Sequence, residues 1–357
     1  MHIYIHIPFC ARKCPYCAFG SSDKKFNLID DYFKALIFEI NEFFKQNKAE
    51  ISTIFVGGGT PSVIKASYYA KIFEKFSKFL SKNCEITFEA NPNSVNLKWL
   101  KEIRKIGANR ISFGTQSFDE KKLIFLGRNH TKFDTIKAVE NAKIAGFDNI
   151  NLDIIYDTKF DTKKLLENEV LNLANLKLSH ISAYSLILEE NTKFGGKKSY
   201  KKGSVNLAKF LFNSLSEIGF KQYEISNFKK ANLDVVCKHN LAYWQGKNYA
   251  GFGAFAVGFK DNKRFYSPKD IKNYIKNPTF KNIENLSKDD LKLERLFLGF
   301  RSNVGVNANL LNKNELKKAK ILAQENKLFL KNGIFYNENF LLADEISLFI
   351  NDDFTLD

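Results

Sequence analysis

Seven short runs rich in β-branched and aromatic residues punctuate the first two-thirds of the chain: HIYIHI, ISTIFV, EITFEA, NRISFG, NINLDIIY, HISAYSLI and KQYEISNF. Stretches of helical period lie between them, over Asp30 to Phe44, Ala66 to Leu80, Leu97 to Ile106 and Lys132 to Ala145. Such lengths suit parallel βαβ crossovers, so the alternation predicts an α/β barrel or partial barrel. Parallel barrels gather their sites at the C-terminal ends of the strands, and chemistry is therefore expected just after each run. Past about residue 280 the rhythm gives way to SKDDLKLERLFLGF, NKNELKKAKILAQEN and LFLKNGIFYNENFLL, which read as two or three helices and a small hairpin. The 357 residues thus divide into a barrel over 1–230, a connecting region over 231–280 and a C-terminal helical, winged-helix-like module over 281–357. That length suits one large domain and a smaller one.

Directly after the first run come Cys10, Cys14 and Cys17, in the spacing CxxxCxxC. The chain has no uninterrupted apolar run of the roughly 18–20 residues that a membrane span needs, and its start lacks the pattern of a signal peptide. A cytoplasmic protein is expected. Five cysteines, an odd number, then argue against a disulfide framework and for metal or redox chemistry. A net charge of +16 could attract nucleic acid or another polyanion. The lysines are scattered over helices such as KIFEKFSKFLSK, as a solvated surface would have them, and no nucleic-acid partner is expected.

Structural zinc takes four protein ligands in paired clusters, and no second CxxC or neighbouring histidine completes such a set here. Cubane iron–sulfur clusters are held by thiolates, and three cysteines leave one iron without a protein ligand. The CxxxCxxC spacing, with Tyr16 just before its last cysteine, resembles the radical S-adenosylmethionine (SAM) superfamily. In that superfamily the amino and carboxylate groups of SAM chelate the fourth iron. The resemblance implies a [4Fe–4S] cluster on Cys10, Cys14 and Cys17 and a radical SAM partial (β/α)6 TIM-like barrel. GGGTP follows the second run, with Gly58, Gly59 and Thr60 at its centre; glycines permit close backbone approach and positive φ. Glu89 in FEANP, Gln116 in SFGTQSFD, Arg128 in LGRNH and Asp153 in NLDIIY stand at or after successive strand ends. By resemblance these residues contact SAM, with Tyr4 and Tyr16 lining the same pocket.

Over essentially its whole length the chain is similar to the HemN/HemW branch, through YIHIPFC, GGGTPS, RISFGTQSF, LDIIY, HISAYSL and YEISNF. Oxygen-independent coproporphyrinogen III oxidases of that branch carry a further cysteine two residues after the third, where this chain has Phe19. They also have a substrate-related N-terminal extension, whereas the first cysteine here is residue 10. Both departures favour the haem-chaperone members. In CKHNLAYWQG, His239, Asn240, Tyr243 and Trp244 match an HNxxYW element associated with those members and their haem binding. Imidazole is a competent axial ligand and flanking rings can stack on a porphyrin, although His239 and Tyr243, four apart, could equally be packed aromatics. No later methionine and no CxxCH is present; Cys237 is open as a second ligand or an ordinary buried thiol.

Two segments depart from the family's pattern. After Asp153, where a Gly-Leu-Pro turn is usual, the chain has YDTKFDT, with Asp157, Thr158 and Lys159. YAGFGAFAVGF, from Tyr249 to Phe259, replaces some of the family's glycines by bulky residues.

The resemblance implies a haem chaperone that binds a [4Fe–4S] cluster, SAM and haem and passes haem to acceptor proteins, with an electron donor protein as a further partner. A homodimer is left open, and whether the chain is itself an enzyme stays open too. Two alternatives are the coproporphyrinogen decarboxylase and a radical SAM enzyme that modifies RNA.

Overall fold

The computed structural model of the chain describes residues 1–352. Its first part alternates strands and helices: β1 (His2–Ile7), α1 (Ile29–Gln46), β2 (Ile51–Gly58), α2 (Ala66–Phe76), β3 (Leu80–Ala90), α3 (Leu97–Lys105), β4 (Arg110–Gln116), α4 (Glu120–Phe125), α5 (Lys132–Ile144), β5 (Asn149–Tyr156), α6 (Lys163–Ala174), β6 (His180–Ser185) and α7 (Val205–Glu217). The six strands pair in parallel, in sequence order. This is the expected partial (β/α)6 barrel.

Residues alternate along each strand, and the two faces have opposite chemistry. One face carries Ile3, Ile5, Ile54, Val56, Phe88, Ile111, Phe113 and Leu152, all fully buried in one core with the helices. Burying each such side chain contributes about 1.5–3 kcal/mol. The other face carries His2, Tyr4 and His6 on β1, Thr53 on β2, Glu85, Thr87 and Glu89 on β3, and Arg110 and Ser112 on β4, followed by Asn151 and Asp153 on β5 and His180 and Ser182 on β6. A barrel interior this polar is a site rather than a packed core.

Both edges of the sheet are extended by antiparallel strands. KQYEISNF is two strands rather than one: β7 (Phe220–Gln222) and β8 (Asn227–Lys230) form a hairpin whose β8 pairs antiparallel with β6. The break is physical, because Ile225 donates its N–H to Arg301 O at 2.8 Å and Glu224 accepts from Ser226 N at 2.8 Å, turning the chain from the edge strand β7 back into β8 beside β6. After α8 (Lys238–Trp244), β9 (Tyr249–Phe252) lies parallel to β1 as a seventh parallel strand. β10 (Val257–Lys260), β11 (Lys263–Tyr266), α9 (Ile271–Lys276) and β12 (Asn282–Asn285) follow, and the three strands continue the same twelve-stranded sheet.

The remaining elements are α10 (Lys288–Phe300), β13 (Val306–Asn307), α11 (Lys313–Gln324), β14 (Phe329–Lys331), β15 (Ile334–Tyr336) and α12 (Ala343–Asn351). They enclose a second core around Leu296, Phe300, Ala319, Phe335, Ile346 and Ile350. The three short strands form their own antiparallel sheet. α12 was not expected; Ala343, Ile346 and Ile350 share one buried face at helical spacing, and Asp344 and Glu345 favour its first turn. No helix among the described residues is long and apolar enough to cross a membrane.

Candidate functional site

The cysteine loop is tied down at both ends. Ser22 donates its N–H to Pro8 O at 2.9 Å, and Cys10 donates its own to Ser22 O at 3.1 Å, so the loop leaves β1 and returns beside it. Within it, a turn joins Cys17 N to Cys14 O at 3.2 Å. All five cysteines are free thiols; Cys10, Cys14 and Cys17 share the loop after β1, although among the described residues no three His, Cys, Asp or Glu side chains are arranged to hold a metal ion as they stand. Cys84 starts the regular part of β3 and Cys237 precedes α8, both at the opposite end of the barrel from the loop.

Donors face two of the loop's sulfurs: Thr60 Oγ1 lies 3.5 Å from Cys10 Sγ, and Arg128 Nη1 lies 3.4 Å from Cys14 Sγ. Burial pushes the Cys17 thiol up to about 11, so a thiolate there needs a cationic partner. Three thiols with hydrogen-bond donors aimed at two of them fit an iron–sulfur cluster, whose properties such donors tune.

The residues expected around SAM converge on this loop. Gly59 N donates to Ile7 O and Thr60 N to Phe9 O, both at 2.8 Å, fastening GGGTP to the end of β1. Gly58 has φ +106°, and a Cβ there would run into the His6 imidazole, so glycine is required. Its N–H donates to Glu89 Oε2 at 3.1 Å. Arg128 Nη2 donates to Asn91 Oδ1 at 2.5 Å and Gly114 O at 2.6 Å, while Asn91 Nδ2 donates to Thr60 Oγ1 at 3.4 Å. Cys10, Thr60, Asn91, Arg128 and Cys14 are thereby linked in one chain of contacts. Gln116 joins them across Gly114: a Cβ on that glycine would stand 2.9 Å from Gln116 Nε2. Gln116 itself holds a strained φ of +66°.

Glu89 and Asp153 face one another inside the barrel. Burial, with the Asp153 charge adding to it, pushes Glu89 up to about 7; burial likewise raises Asp153, which accepts from Asn151 Nδ2 at 2.7 Å. Such a pair favours a cationic ligand. Tyr4 lies near Glu89, and Tyr16 near Arg128 and Cys14. Tyr4 donates to His6 Nδ1 at 3.0 Å, because His6 must use its Nε2 proton on Gly20 O at 2.7 Å. Tyr16 instead faces Phe194, ring centroids 6.4 Å apart. Sequence reasoning missed Asn91; FEANP contained it, but the position did not stand out by spacing. His6 is a further haem-ligand candidate in the sequence, whereas here its imidazole is used between Tyr4 and Gly20.

The HNxxYW element forms α8, which sits on the polar face at the N-terminal ends of β1 to β3. Glu85 caps it, accepting from Lys238 N and His239 N, each at 3.1 Å. His239 is buried, with Nδ1 hydrogen-bonded to Thr53 Oγ1 at 2.8 Å and Nε2 to Tyr243 OH at 2.9 Å. Burial brings its pKa down to about 3, so the ring is neutral. Phe55 stacks on it at 5.2 Å. Asn240, Tyr243 and Trp244 are half-buried. In this conformation His239 has no free nitrogen to offer an iron. Beside α8, between α1 and β9 to β11, opens a cleft of about 820 Å³ walled by Phe38, Phe43, Phe252 and Phe265.

The profile of the radical SAM superfamily matches residues 4–167. A Bacillus subtilis protein named heme chaperone HemW is 34% identical over 321 residues, which cover 85% of this chain and 84% of that one. A Lactococcus lactis protein of the same name is 35% identical over 317 residues, 85% of this chain and 82% of that one. The Escherichia coli protein of that name is 34% identical over 265 residues, 72% and 70% of the two chains. Among solved structures, coproporphyrinogen III oxidase (HemN) from Escherichia coli, a radical SAM enzyme, superposes with a TM-score of 0.81 over 99% of this chain and 90% of that one. At 18% identity that likeness establishes the fold alone. With a cysteine loop at the C-terminal mouth of a partial barrel and relatives of this similarity along most of its length, the chain belongs to the HemW family of the radical SAM superfamily.

Proposed function

We propose that the chain is a haem chaperone: it holds a [4Fe–4S] cluster on Cys10, Cys14 and Cys17, binds SAM and haem, and passes haem to acceptor proteins in the cytoplasm. The observation that carries this function is the likeness to proteins named heme chaperone HemW over 84% of the Bacillus subtilis relative's length. When bound, the cluster supplies single electrons, which an electron donor protein must replace. The chain's own residues do the rest. Thr60 and Arg128 donate towards the thiolates, and the backbone of Gly58 to Thr60 presents a close-approach surface for the methionine head of SAM. Glu89 and Asp153 offer negative charge to its cationic groups. Gln116 and Arg128, joined through Gly114 and Asn91, and the Tyr4 and Tyr16 rings complete the SAM pocket.

Haem ligation is assigned to His239 with Asn240, Tyr243 and Trp244 beside it, in a form where α8 has released Thr53 and Tyr243 from the imidazole. Titration of the His239→Ala protein with haem tests this: weakened binding and a shifted Soret band, with iron content and melting behaviour unchanged, are expected. Unaltered affinity and spectrum would move haem elsewhere, first to the aromatic cleft beside Tyr249.

A second function, oxygen-independent decarboxylation of coproporphyrinogen III, has in its favour the likeness of fold to HemN. Against it, the place of the oxidases' additional cysteine is taken by Phe19, a side chain 68% exposed to solvent.

A further inference from the structure

The YDTKFDT departure after β5 does something specific in the fold. Asp157, at φ +66°, grips the segment 186–204 that follows β6. Its carboxylate accepts from Ser204 N at 3.2 Å and Ser185 Oγ at 3.1 Å, and pairs with Lys201 at 3.4 Å, while its carbonyl accepts from Lys202 N at 3.2 Å. Lys159 N donates to Tyr200 O at 2.8 Å. The Lys159 ammonium lies over three rings at once, 4.8 Å from the centroid of Tyr200, 4.9 Å from Phe125 and 5.4 Å from Phe160.

The same segment reaches the cysteine loop. Phe194 donates its N–H to Pro15 O at 3.2 Å, and its buried ring packs with Leu126, Ile155 and Leu186 in a small core that Tyr16 joins. Pro15 is pressed from the other side by Gly127, where a Cβ would collide with its ring. Pro15 and Tyr16 are the two residues between Cys14 and Cys17.

We propose that residues 186–204 are a strap closed over the cysteine loop, with Asp157 and Lys159 as its latch. These are positioning residues: through Phe194 they hold Pro15 and Tyr16, which fixes how Cys14 and Cys17 present their sulfurs and slows loss of iron. The role rests on the proposal that these cysteines hold a cluster.

The test is anaerobic reconstitution of wild-type, Lys159→Met, Lys159→Arg and Asp157→Asn proteins, followed by iron release to a ferrous chelator and by the cluster's EPR signal with and without SAM. Methionine keeps the packing of Lys159 and removes its cation, whereas arginine keeps the cation; asparagine tolerates the positive φ of Asp157. Iron release is expected about two- to fivefold faster in Lys159→Met, as the loss of an exposed cation–π contact allows. In Lys159→Arg it returns to the wild-type rate, and in Asp157→Asn it is about tenfold faster, on the scale of a lost hydrogen-bonded charge. Limited trypsin digestion reads the strap directly, because Lys193, Lys197 and Lys198 are exposed on it; earlier cleavage there in Lys159→Met at unchanged melting temperature is expected. If all four proteins load iron and release it at one rate, with the same cleavage pattern, the strap has no such role. A wild-type protein that takes up no iron would instead overturn the cluster itself.

Discussion

Glu89 is a carboxyl group whose ionisation depends on what lies beside it. Its folded value, raised to about 7 by burial and by Asp153, means that the folded state holds the proton more tightly than the unfolded chain does. Its contribution to the stability of the ligand-free protein is therefore present at low pH and lost as pH rises through 7. A cationic ligand reverses the preference, because it binds the ionised form. SAM affinity is expected to rise about tenfold between pH 6 and pH 8, and calorimetric titration of Glu89→Gln should lose most of that slope. A wild-type affinity that is flat over this range would remove Glu89 from the SAM pocket. The cysteines give a sharper residue-scale expectation. Reconstituted wild type should carry about four irons per chain, and alanine at Cys10, Cys14 or Cys17 should abolish this while Cys84→Ala does not. Iron retained by all three variants would contradict the thiolate assignment. The three thiols stand out in the sequence because CxxxCxxC puts three residues of one type at short separation, and the resemblance to the radical SAM superfamily supplies the proposed cluster. Asn91 does not, since a bridge between Thr60 and Arg128 exists only after β2, β3 and the segment beyond β4 are brought together.

α8 has only seven residues, too few to be stable by itself. It exists because Glu85 satisfies its first amides and because His239 is pinned between Thr53 and Tyr243. Replacing Glu85 by alanine should destabilise the fold by about 1–2 kcal/mol, the size of a lost helix cap, with amide exchange accelerated over 238–244 in particular. Haem loading of the wild-type protein should accelerate exchange over the same residues, because ligation by His239 requires both of its hydrogen bonds to open. Protection that is unchanged or increased on loading would mean that His239 stays packed and that haem sits elsewhere. The long, strongly patterned elements β1 to β6 were legible in the sequence. β9 to β12 were not, because four-residue strands in a glycine- and phenylalanine-rich stretch carry no period to read. The hairpin of β7 and β8 read as one strand because its turn is set by Arg301, far away in the sequence.

The whole molecule combines an apolar outer face on the barrel strands with an interior lined by histidine, glutamate, aspartate and arginine, and the cysteine loop follows the C-terminal end of β1. Alternation of this kind is visible in runs such as HIYIHI, and it separates a ligand-holding barrel from one whose centre is packed with aliphatic side chains. What the alternation does not say is which ligand the chain serves. The proposed carrier and its alternative, an oxidase, would differ in details such as Phe19. One anaerobically reconstituted sample, titrated with haem and then supplied with SAM, a reductant and coproporphyrinogen III, decides between them. Saturable binding of haem with no release of carbon dioxide is expected; release of carbon dioxide that depends on SAM, from a protein that shows no saturable haem binding, would contradict the carrier function.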